Sequence, residues 1–151
     1  MAIEIERKFL VKCDFPYNRK YNIKQGYLFN TKEKVVRIRK TDSDCYLTIK
    51  INLDEMSKYE YEYKIPEEHA DELLNSCTDI IDKTRHLFHS DKQNWEIDKF
   101  HGELEGLIIA EIELNSKDEE IVIPSFCSDE VTGDVRYYNS NLLKTKRQNL
   151  I

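Results

Sequence analysis

Glycine and proline are scarce in this chain of 151 residues, which contains 4 Gly and 3 Pro. The glycine-rich loops that bind nucleotide phosphates follow the patterns GxxxxGK[ST] or GxGxxG, and neither occurs in the sequence. A phosphate ligand would therefore have to be held by side chains. Long apolar runs are also missing, since no stretch approaches the roughly 18 residues of a membrane-spanning helix. A transmembrane helix is not expected.

Cysteine and histidine are equally sparse, with 4 of each. The cysteines are Cys13, Cys45, Cys77 and Cys127. They are far apart and form no CxxC pair, which argues against a disulfide framework or a structural zinc site. His86 and His89 lie three residues apart in an expected strand, so they point to opposite faces. We therefore expect small buried cysteines, and we expect any metal ion to be held by carboxylates.

Acidic residues outnumber basic ones: 29 Asp and Glu stand against 23 Lys and Arg, for a formal net charge of −6. This balance argues against a protein that binds nucleic acid or anionic membranes with its whole surface, although not against a local basic site. The N-terminus has no basic segment followed by an apolar one, so no secretory signal is indicated. We expect a cytoplasmic protein with a small-molecule partner, no nucleic acid and no membrane. Its oligomeric state is open, and a homodimer is compatible with the sequence.

Apolar and polar residues alternate along most of the chain, which is the pattern of β-strands. The strands are expected at 2–12, 21–29, 35–40, 45–51, 58–65, 80–88, 93–100 and 107–114. Eight such strands predict a mostly β fold with flanking α-helices, in which a closed eight-stranded antiparallel β-barrel forms one domain over 1–151. A sandwich of two sheets is the structural alternative.

Two segments break the alternation and predict helices. Pro66-Glu67-Glu68 places proline and two acids in a first helical turn, and the apolar residues after it recur at helical spacing. Asp134 can cap a C-terminal helix that carries Val135, Tyr138 and Leu142 on one side. A short helical turn is also expected around 127–132.

The polar faces of the strands repeat the arrangement charge-x-charge. The acidic pairs are Glu4/Glu6, Glu60/Glu62, Glu96/Asp98 and Glu111/Glu113, and the basic pairs are Arg37/Arg39 and Lys83/Arg85. Such pairs are ordinary on a solvated surface, but a barrel of about eight strands has an interior that can hold one small ligand. If these faces point inward, a basic and an acidic wall meet in the lumen. Each wall alone would be a cluster of unpaired like charges in a confined space, which destabilises the fold. A polyanion would neutralise the basic wall, and a divalent cation would bridge it to the carboxylates of the acidic wall.

The chemistry of the two walls indicates a polyphosphate with a divalent cation. Mg²⁺ is usually held by a few carboxylates together with substrate phosphates, and Arg and Lys bind phosphate oxygens. The number of basic residues on the inward faces suits several phosphates better than one. These residues are Lys8, Arg37, Arg39, Lys50, Lys83 and Arg85.

The run Glu4-Ile5-Glu6-Arg7-Lys8 resembles the ExExK signature of the CYTH, or triphosphate tunnel metalloenzyme, superfamily. Further blocks follow in that family's order and cover nearly the whole chain. They are Gln25-Gly26-Tyr27-Leu28, Val36-Arg37-Ile38-Arg39, Leu47-Thr48-Ile49-Lys50, Tyr59-Glu60-Tyr61-Glu62, Lys83-Thr84-Arg85, Trp95-Glu96-Ile97-Asp98, Ala110-Glu111-Ile112-Glu113-Leu114 and Val131-Thr132-Gly133-Asp134. The compact length is similar to that of short bacterial tripolyphosphatase-like members.

The resemblance implies a tunnel of eight antiparallel strands that binds a triphosphate and Mg²⁺ or Mn²⁺. Carried over by position, the metal ligands are Glu4, Glu6, Glu111 and Glu113. The phosphate-binding residues are Lys8, Arg37, Arg39, Lys50 and Arg85, with Asp98 orienting one of them. The catalytic residues are Glu60 and Glu62, as second-metal or water-orienting groups, and Tyr27 and Lys83, as a lysine–tyrosine dyad that activates water.

The leading hypothesis is metal-dependent hydrolysis of inorganic tripolyphosphate. A class IV adenylyl cyclase or a thiamine triphosphatase is the enzymatic alternative, and a non-catalytic polyphosphate-binding module is the third hypothesis. The organic triphosphates of the second hypothesis need a pocket for a ring. Tyr59, Tyr61 and Tyr63 could stack on one, but their spacing puts them on the face opposite Glu60 and Glu62. We expect this tyrosine stripe to pack in the core.

Overall fold

The computed structural model describes residues 2–151. The strands are β1 (Ile3–Val11), β2 (Arg19–Asn30), β3 (Lys34–Thr41), β4 (Cys45–Asn52), β5 (Ser57–Ile65), β6 (Ile80–Ser90), β7 (Gln93–Phe100), β8 (Ile108–Leu114) and β9 (Cys127–Glu130). The α-helices are α1 (Glu67–Asn75) and α2 (Leu142–Arg147), and 3₁₀ turns span Gly102–Leu104, Val135–Tyr137 and Asn139–Asn141. Within the described range, no helix has both the length and the apolar character needed to cross a membrane.

Eight of the strands close into an antiparallel barrel in the order β5-β4-β3-β2-β6-β7-β8-β1. The seam is short: β1 pairs with β5 only over Ile3–Ile5, with Ile3 opposite Tyr59. The closed eight-stranded barrel that the sequence predicts is therefore confirmed, and the two-sheet sandwich is wrong.

The ninth strand occupies the part of the β1 edge that β5 leaves free. Phe9 pairs with Glu130 and Val11 with Cys127, so β9 continues the sheet beyond the seam. The helical turn expected around 127–132 is wrong for this reason. An open β1 edge offers backbone partners to the passing chain, and the segment pairs with it as a short strand.

Because the charged faces of the strands point into the barrel, their apolar faces point outward and have to be covered. Phe9, Trp95 and Ile97 form an outer core that the loop residue Phe126 closes. A second core lies where α1 packs Ala70 and Leu74 against the outside of β3 and β4. The helix predicted after Pro66 is confirmed, with Glu67 and Glu68 in its first turn.

The C-terminal segment differs from the single helix that the sequence suggests. Asp134 does cap, since its side chain accepts a hydrogen bond from the Arg136 N–H, but the element it caps is a 3₁₀ turn of three residues. The chain then becomes extended at Tyr138, and α2 begins only at Leu142. Val135 is exposed and lines the cavity, instead of packing on the apolar side of a helix.

The tyrosine stripe of β5 is on the outside of the barrel, and it is not buried as expected. Tyr61 and Tyr63 are 39% and 57% exposed. Phe29 is 45% exposed, because a β-bulge between Tyr27 and Phe29 turns it from the inner to the outer face. The sequence pattern places these residues on a strand but cannot show that no other element covers that part of the sheet.

The four cysteines are free thiols, and they differ in burial. Cys45 is buried, Cys77 and Cys127 are half-buried, and Cys13 is exposed. The expectation of small buried residues therefore fails for Cys13, which lies in the segment between β1 and β2.

Gly26 lets the end of α1 approach β2 closely. A Cβ atom at this position would lie 2.9 Å from the Sγ of Cys77 and 2.9 Å from the Cδ1 of Ile80. We expect Gly26→Ala to lower the free energy of unfolding by about 1–3 kcal/mol, the usual cost of overpacking. Urea denaturation of both proteins measures this difference in the free energy of unfolding. Lys24→Ala, on the same strand face but exposed, should change stability by less than about 0.5 kcal/mol. Equal stability of Gly26→Ala and the wild type would contradict this packing.

Candidate functional site

The barrel encloses a cavity of about 420 Å³ that is lined by inward-facing side chains. Of the residues that the sequence analysis assigns to the site, those that line the cavity are Glu4, Glu6, Lys8, Tyr27, Arg37, Arg39, Lys50, Glu60, Lys83, Arg85, Glu111 and Glu113. Glu62 and Asp98 do not line it. The structure thus brings nearly the whole predicted set around one enclosed space.

Strands β1 and β8 form the acidic wall. Their register sets Glu6 opposite Glu113 and Lys8 opposite Glu111, and alternation turns all four side chains toward the cavity. Burial and the negative charges of Glu111 and Glu4 raise the pKa of Glu6 to about 8. The exposed surface that Glu6 retains faces the cavity, and its carboxylate has no hydrogen bond or ion pair to any side chain of 2–151. Glu6 therefore lacks a cationic partner.

Glu4 and Glu111 are paired with lysines, whereas Glu113 has no ion pair within 2–151. Glu4 accepts a hydrogen bond from Lys50 at 3.0 Å, and Lys50 also lies 3.3 Å from Glu60. Glu111 lies 3.7 Å from Lys8. No group of three or more His, Cys, Asp or Glu side chains within 2–151 is arranged to hold a metal ion by itself.

The donor set nevertheless fits a divalent cation. Hard cations such as Mg²⁺ take oxygen ligands and are completed by substrate phosphates and water, so an all-protein cage is not required. The observation that carries this fit is that Glu6 and Glu113 line the cavity without an ion-pair partner within 2–151, next to Glu4 and Glu111. A cation beside Glu6 would relieve the like charge of these carboxylates.

The basic wall has more positive charge than its own carboxylates neutralise. Arg37 donates to Thr48 at 3.1 Å and to Glu62 at 3.4 Å, but its buried Nε has no partner. Arg39 donates only to the neutral amide of Gln25. Burial and the nearby charges of Arg37 and Arg85 lower the pKa of Arg39 to about 10. An anion in the cavity would satisfy these guanidinium groups.

Asp98 lies behind the basic wall and joins two of its cations. Its carboxylate accepts two hydrogen bonds from Arg85, each at 2.9 Å, and lies 2.8 Å from the Nζ of Lys83. Burial alone would raise the pKa of Asp98, but Arg85 and Lys83 hold it far below its usual value. This geometry fits the predicted orienting role, since the bidentate bond fixes the Arg85 guanidinium beside the cavity.

Lys83 is almost completely buried, with 1% of its surface exposed. Burial, together with the charges of Arg85 and Arg39, lowers the pKa of Lys83 to about 7 although Asp98 opposes the shift. Tyr27 lines the same cavity, and its hydroxyl oxygen accepts a hydrogen bond from Gln25 at 3.0 Å. The two members of the predicted dyad are therefore on one wall, and one of them can exchange a proton near neutral pH.

Glu60 and Glu62, which the sequence analysis treats alike, occupy different places. Glu60 lines the cavity beside Lys50. Glu62 holds Arg37 and accepts a hydrogen bond from Thr48 at 3.0 Å, and 39% of its side chain is exposed. The contacts of Glu62 thus fit the orientation of Arg37 better than contact with a reacting water.

Lys58 is a cavity residue that the sequence analysis leaves out of the site. It points inward from β5, and its ammonium lies 4.4 Å from the centre of the Tyr138 ring. Burial and the charges of Lys50 and Lys8 lower the pKa of Lys58 to about 8. The strand alternation that places Glu60 inside also places Lys58 inside, so the signal was present in the sequence.

The C-terminal segment closes one end of the cavity, and the sequence analysis gives it no role in the site. Lys8 donates to the backbone oxygen of Tyr137 at 3.1 Å, and Lys83 donates to the side-chain oxygen of Asn139 at 2.7 Å. Asn30 donates to the backbone oxygen of Ser140 at 2.9 Å. Buried cations of the barrel thus serve as anchors for this segment.

The other cavity residues contributed by this segment and by the neighbouring strand ends are lysines, small polar residues and two valines. They are Asn30, Thr31, Lys32, Lys34, Val35, Asn52, Val135, Ser140, Asn141 and Lys144. The aromatic side chains in the lining are Tyr27 and Tyr138. The Tyr27 hydroxyl accepts a hydrogen bond from Gln25, and the Lys58 ammonium lies over the Tyr138 ring. Such a lining suits a highly charged anion, and its two valines and two tyrosines are few for a pocket that binds a purine or thiazole ring.

Comparison with known proteins agrees with this geometry. The chain is 42% identical to a protein of Acetivibrio thermocellus named inorganic triphosphatase, and the match covers 99% of this chain and 98% of that one. It is 34% identical to a protein of the same name from Nitrosomonas europaea, over 92% of this chain and 95% of that one. A crystal structure of an inorganic triphosphatase superposes with a TM-score of 0.68 at 32% identity, covering 94% of this chain and 95% of the other.

The sequence profile of the CYTH domain matches residues 2–138, a range that contains all the strands of the barrel and the start of the C-terminal segment. This chain belongs to the CYTH domain family.

Proposed function

We propose that this protein hydrolyses inorganic tripolyphosphate to pyrophosphate and phosphate, with Mg²⁺ or Mn²⁺ as cofactor. The observation that carries the proposal is the cavity, which has eight basic residues of the barrel strands in its lining. They are Lys8, Lys34, Arg37, Arg39, Lys50, Lys58, Lys83 and Arg85. The name inorganic triphosphatase of two full-length relatives supports the same substrate.

The basic residues would bind the substrate and neutralise its charge. Phosphoryl transfer passes through a loose transition state, so that catalysis consists mainly of positioning and charge stabilisation. Arg39 and the free Nε of Arg37 have unused donors, and Asp98 fixes Arg85. These groups can hold the phosphates in one position while water attacks a terminal phosphorus and the bridging P–O bond breaks.

The carboxylates of the acidic wall would hold the cation. Glu4, Glu6, Glu111 and Glu113 are the residues we assign to this role, and Glu6 has no other partner. When bound, a divalent cation neutralises phosphate oxygens and lowers the pKa of a coordinated water. Lys50 and Lys8, which pair with Glu4 and Glu111 here, would then be free to turn toward the substrate.

Lys83 and Tyr27 would handle the proton of the attacking water. A group with a pKa of about 7 is well placed to accept a proton at neutral pH. The overall reaction consumes one water and leaves its oxygen on the released phosphate, while the proton passes first to the dyad and then to solvent. Glu60 lines the cavity and can orient the water from the opposite wall.

A phosphate-release assay tests the proposal against the organic triphosphates. With Mg²⁺ or Mn²⁺, the purified protein should release phosphate from tripolyphosphate at least about 100-fold faster than from ATP or thiamine triphosphate, because the cavity has no ring pocket. EDTA should abolish the release. Equal rates with ATP, or formation of cyclic AMP, would overturn the proposal. Thermal stabilisation by tripolyphosphate without any release would instead identify a binding module.

A further inference from the structure

Gln25 is a buried amide in the middle of β2, with none of its surface exposed. Its side-chain oxygen accepts two hydrogen bonds from Arg39, at 3.0 and 2.8 Å. Its side-chain nitrogen donates to the Tyr27 hydroxyl oxygen at 3.0 Å and to the Asn139 side-chain oxygen at 3.3 Å. Both lone pairs and both N–H groups of the amide are therefore used.

The orientation of this amide follows from chemistry. A guanidinium group can only donate, so the Gln25 oxygen has to face Arg39 and the NH₂ group has to face Tyr27 and Asn139. The Tyr27 oxygen is then an acceptor on the side of Gln25, and its own proton has to point elsewhere. Since Tyr27 lines the cavity, that proton is available to a group in the cavity.

Asn139 fixes the other member of the dyad. Its side-chain oxygen accepts hydrogen bonds from Lys83 at 2.7 Å and from Gln25 at 3.3 Å. Asp98 receives a second N–H of Lys83 at 2.8 Å. An ammonium group has three donors, so one remains for the cavity, which Lys83 also lines.

We propose that Gln25 and Asn139 are positioning residues that hold the Tyr27 hydroxyl and the Lys83 amine beside the phosphate-binding Arg39. The inference rests on the proposed function and assigns a specific task to the C-terminal segment, because Asn139 reaches the barrel wall from there. Gln25 does not line the cavity, so it acts on the reaction only through its neighbours. The contact that fixes the Lys83 amine therefore forms only when the C-terminal segment lies against the end of the barrel.

Gln25→Glu separates this role from simple packing. A carboxylate keeps the two bonds from Arg39 but can no longer donate, so the Tyr27 proton turns toward residue 25 and leaves the cavity. We expect kcat at saturating tripolyphosphate to fall by about 100-fold, the scale of a misplaced catalytic group. KM should rise as well, because the new carboxylate partly neutralises the charge of Arg39, so kcat is the readout for the positioning role. Gln93→Glu is the matched control, since Gln93 also makes side-chain hydrogen bonds but outside the cavity.

Asn139→Asp provides an independent readout through the pH profile. The charged groups around Lys83 are Asp98 on β7, Arg85 on β6, Arg39 on β3 and Glu111 on β8. A new carboxylate beside Lys83 favours its protonated form, so its pKa rises and the neutral amine requires a higher pH. The acidic limb of the kcat–pH profile should move up by about 1 unit or more. Asn149→Asp makes the same change at an exposed position of the C-terminal segment that is not among the cavity residues, and it should not move the limb.

The outcomes separate the inference from the proposed function. If the wild type does not hydrolyse tripolyphosphate, the proposed function fails before any variant is compared. If the wild type is active and Gln25→Glu folds with kcat within about threefold of normal, the positioning role of Gln25 is wrong. An unmoved acidic limb in Asn139→Asp overturns the role of Asn139. This test remains possible if Gln25→Glu fails to fold, because Asn139 lies in the C-terminal segment outside the barrel.

Discussion

Asp98→Asn is expected to lower the free energy of unfolding by about 3–5 kcal/mol, the usual cost of removing one partner from a buried ion pair. Asp98 is 1% exposed and is shared by Arg85 and Lys83. The amide cannot neutralise either cation, and its NH₂ group would face their donors. Among residues 2–151, the charge of Lys83 would then have no carboxylate within ion-pair distance, whereas Arg85 would retain Glu96 at 3.2 Å.

Urea denaturation at neutral pH measures this effect, and two further variants establish its origin. Asp82→Asn makes the same chemical change at an exposed position and should alter stability by less than about 0.5 kcal/mol. Lys83→Met added to Asp98→Asn removes one of the stranded cations, so the double variant should be more stable than the sum of the single effects predicts. Additive effects would show that Asp98 does not pair with Lys83 in solution.

The part of the site that the sequence predicts is the part that follows from strand alternation. Once the ExExK run is a strand, Glu4, Glu6 and Lys8 must share one face, and a closed barrel turns that face toward the charged faces of other strands. Lys58 follows from the same rule. The register of β1 against β8, which brings Lys8 beside Glu111, could not be predicted from one sequence. It decides which inward-facing residues are neighbours, but not which residues face inward.

The part that the sequence does not predict depends on contacts between distant segments. Asn139 enters the site because the C-terminal segment crosses the end of the barrel, and nothing in its local pattern indicates a partner more than 50 residues away. Phe29 leaves the inner face because of a β-bulge. The position of Asp98 behind the cavity, where it joins Lys83 to Arg85, also depends on three-dimensional packing, since alternation alone places it on the same face as Glu96.

Glu111→Gln is expected to reduce kcat/KM for tripolyphosphate by at least about 100-fold. Replacing a residue that only supports a metal ligand typically costs 10–100-fold, and loss of a ligand should cost more. Burial alone would raise the pKa of Glu111, but Lys8, Arg85 and Lys83 lower it to about 2, so the carboxylate is charged at neutral pH and ready to bind a cation. The glutamine keeps the size and one oxygen but removes that charge.

The metal dependence of the rate distinguishes a ligand from a structural residue. If Glu111 binds the cation, the Mg²⁺ concentration required for half-maximal rate should rise in Glu111→Gln. The melting temperature without metal should fall as well, because Lys8 loses its buried carboxylate partner and keeps only its bond to the Tyr137 backbone oxygen. The metal requirement is therefore the measurement that separates the two roles. Glu105→Gln, at an exposed turn position, should match the wild type in both measurements. Unchanged turnover in Glu111→Gln would remove Glu111 from the metal site, and loss of turnover without a change in metal requirement would indicate that the residue acts by holding Lys8.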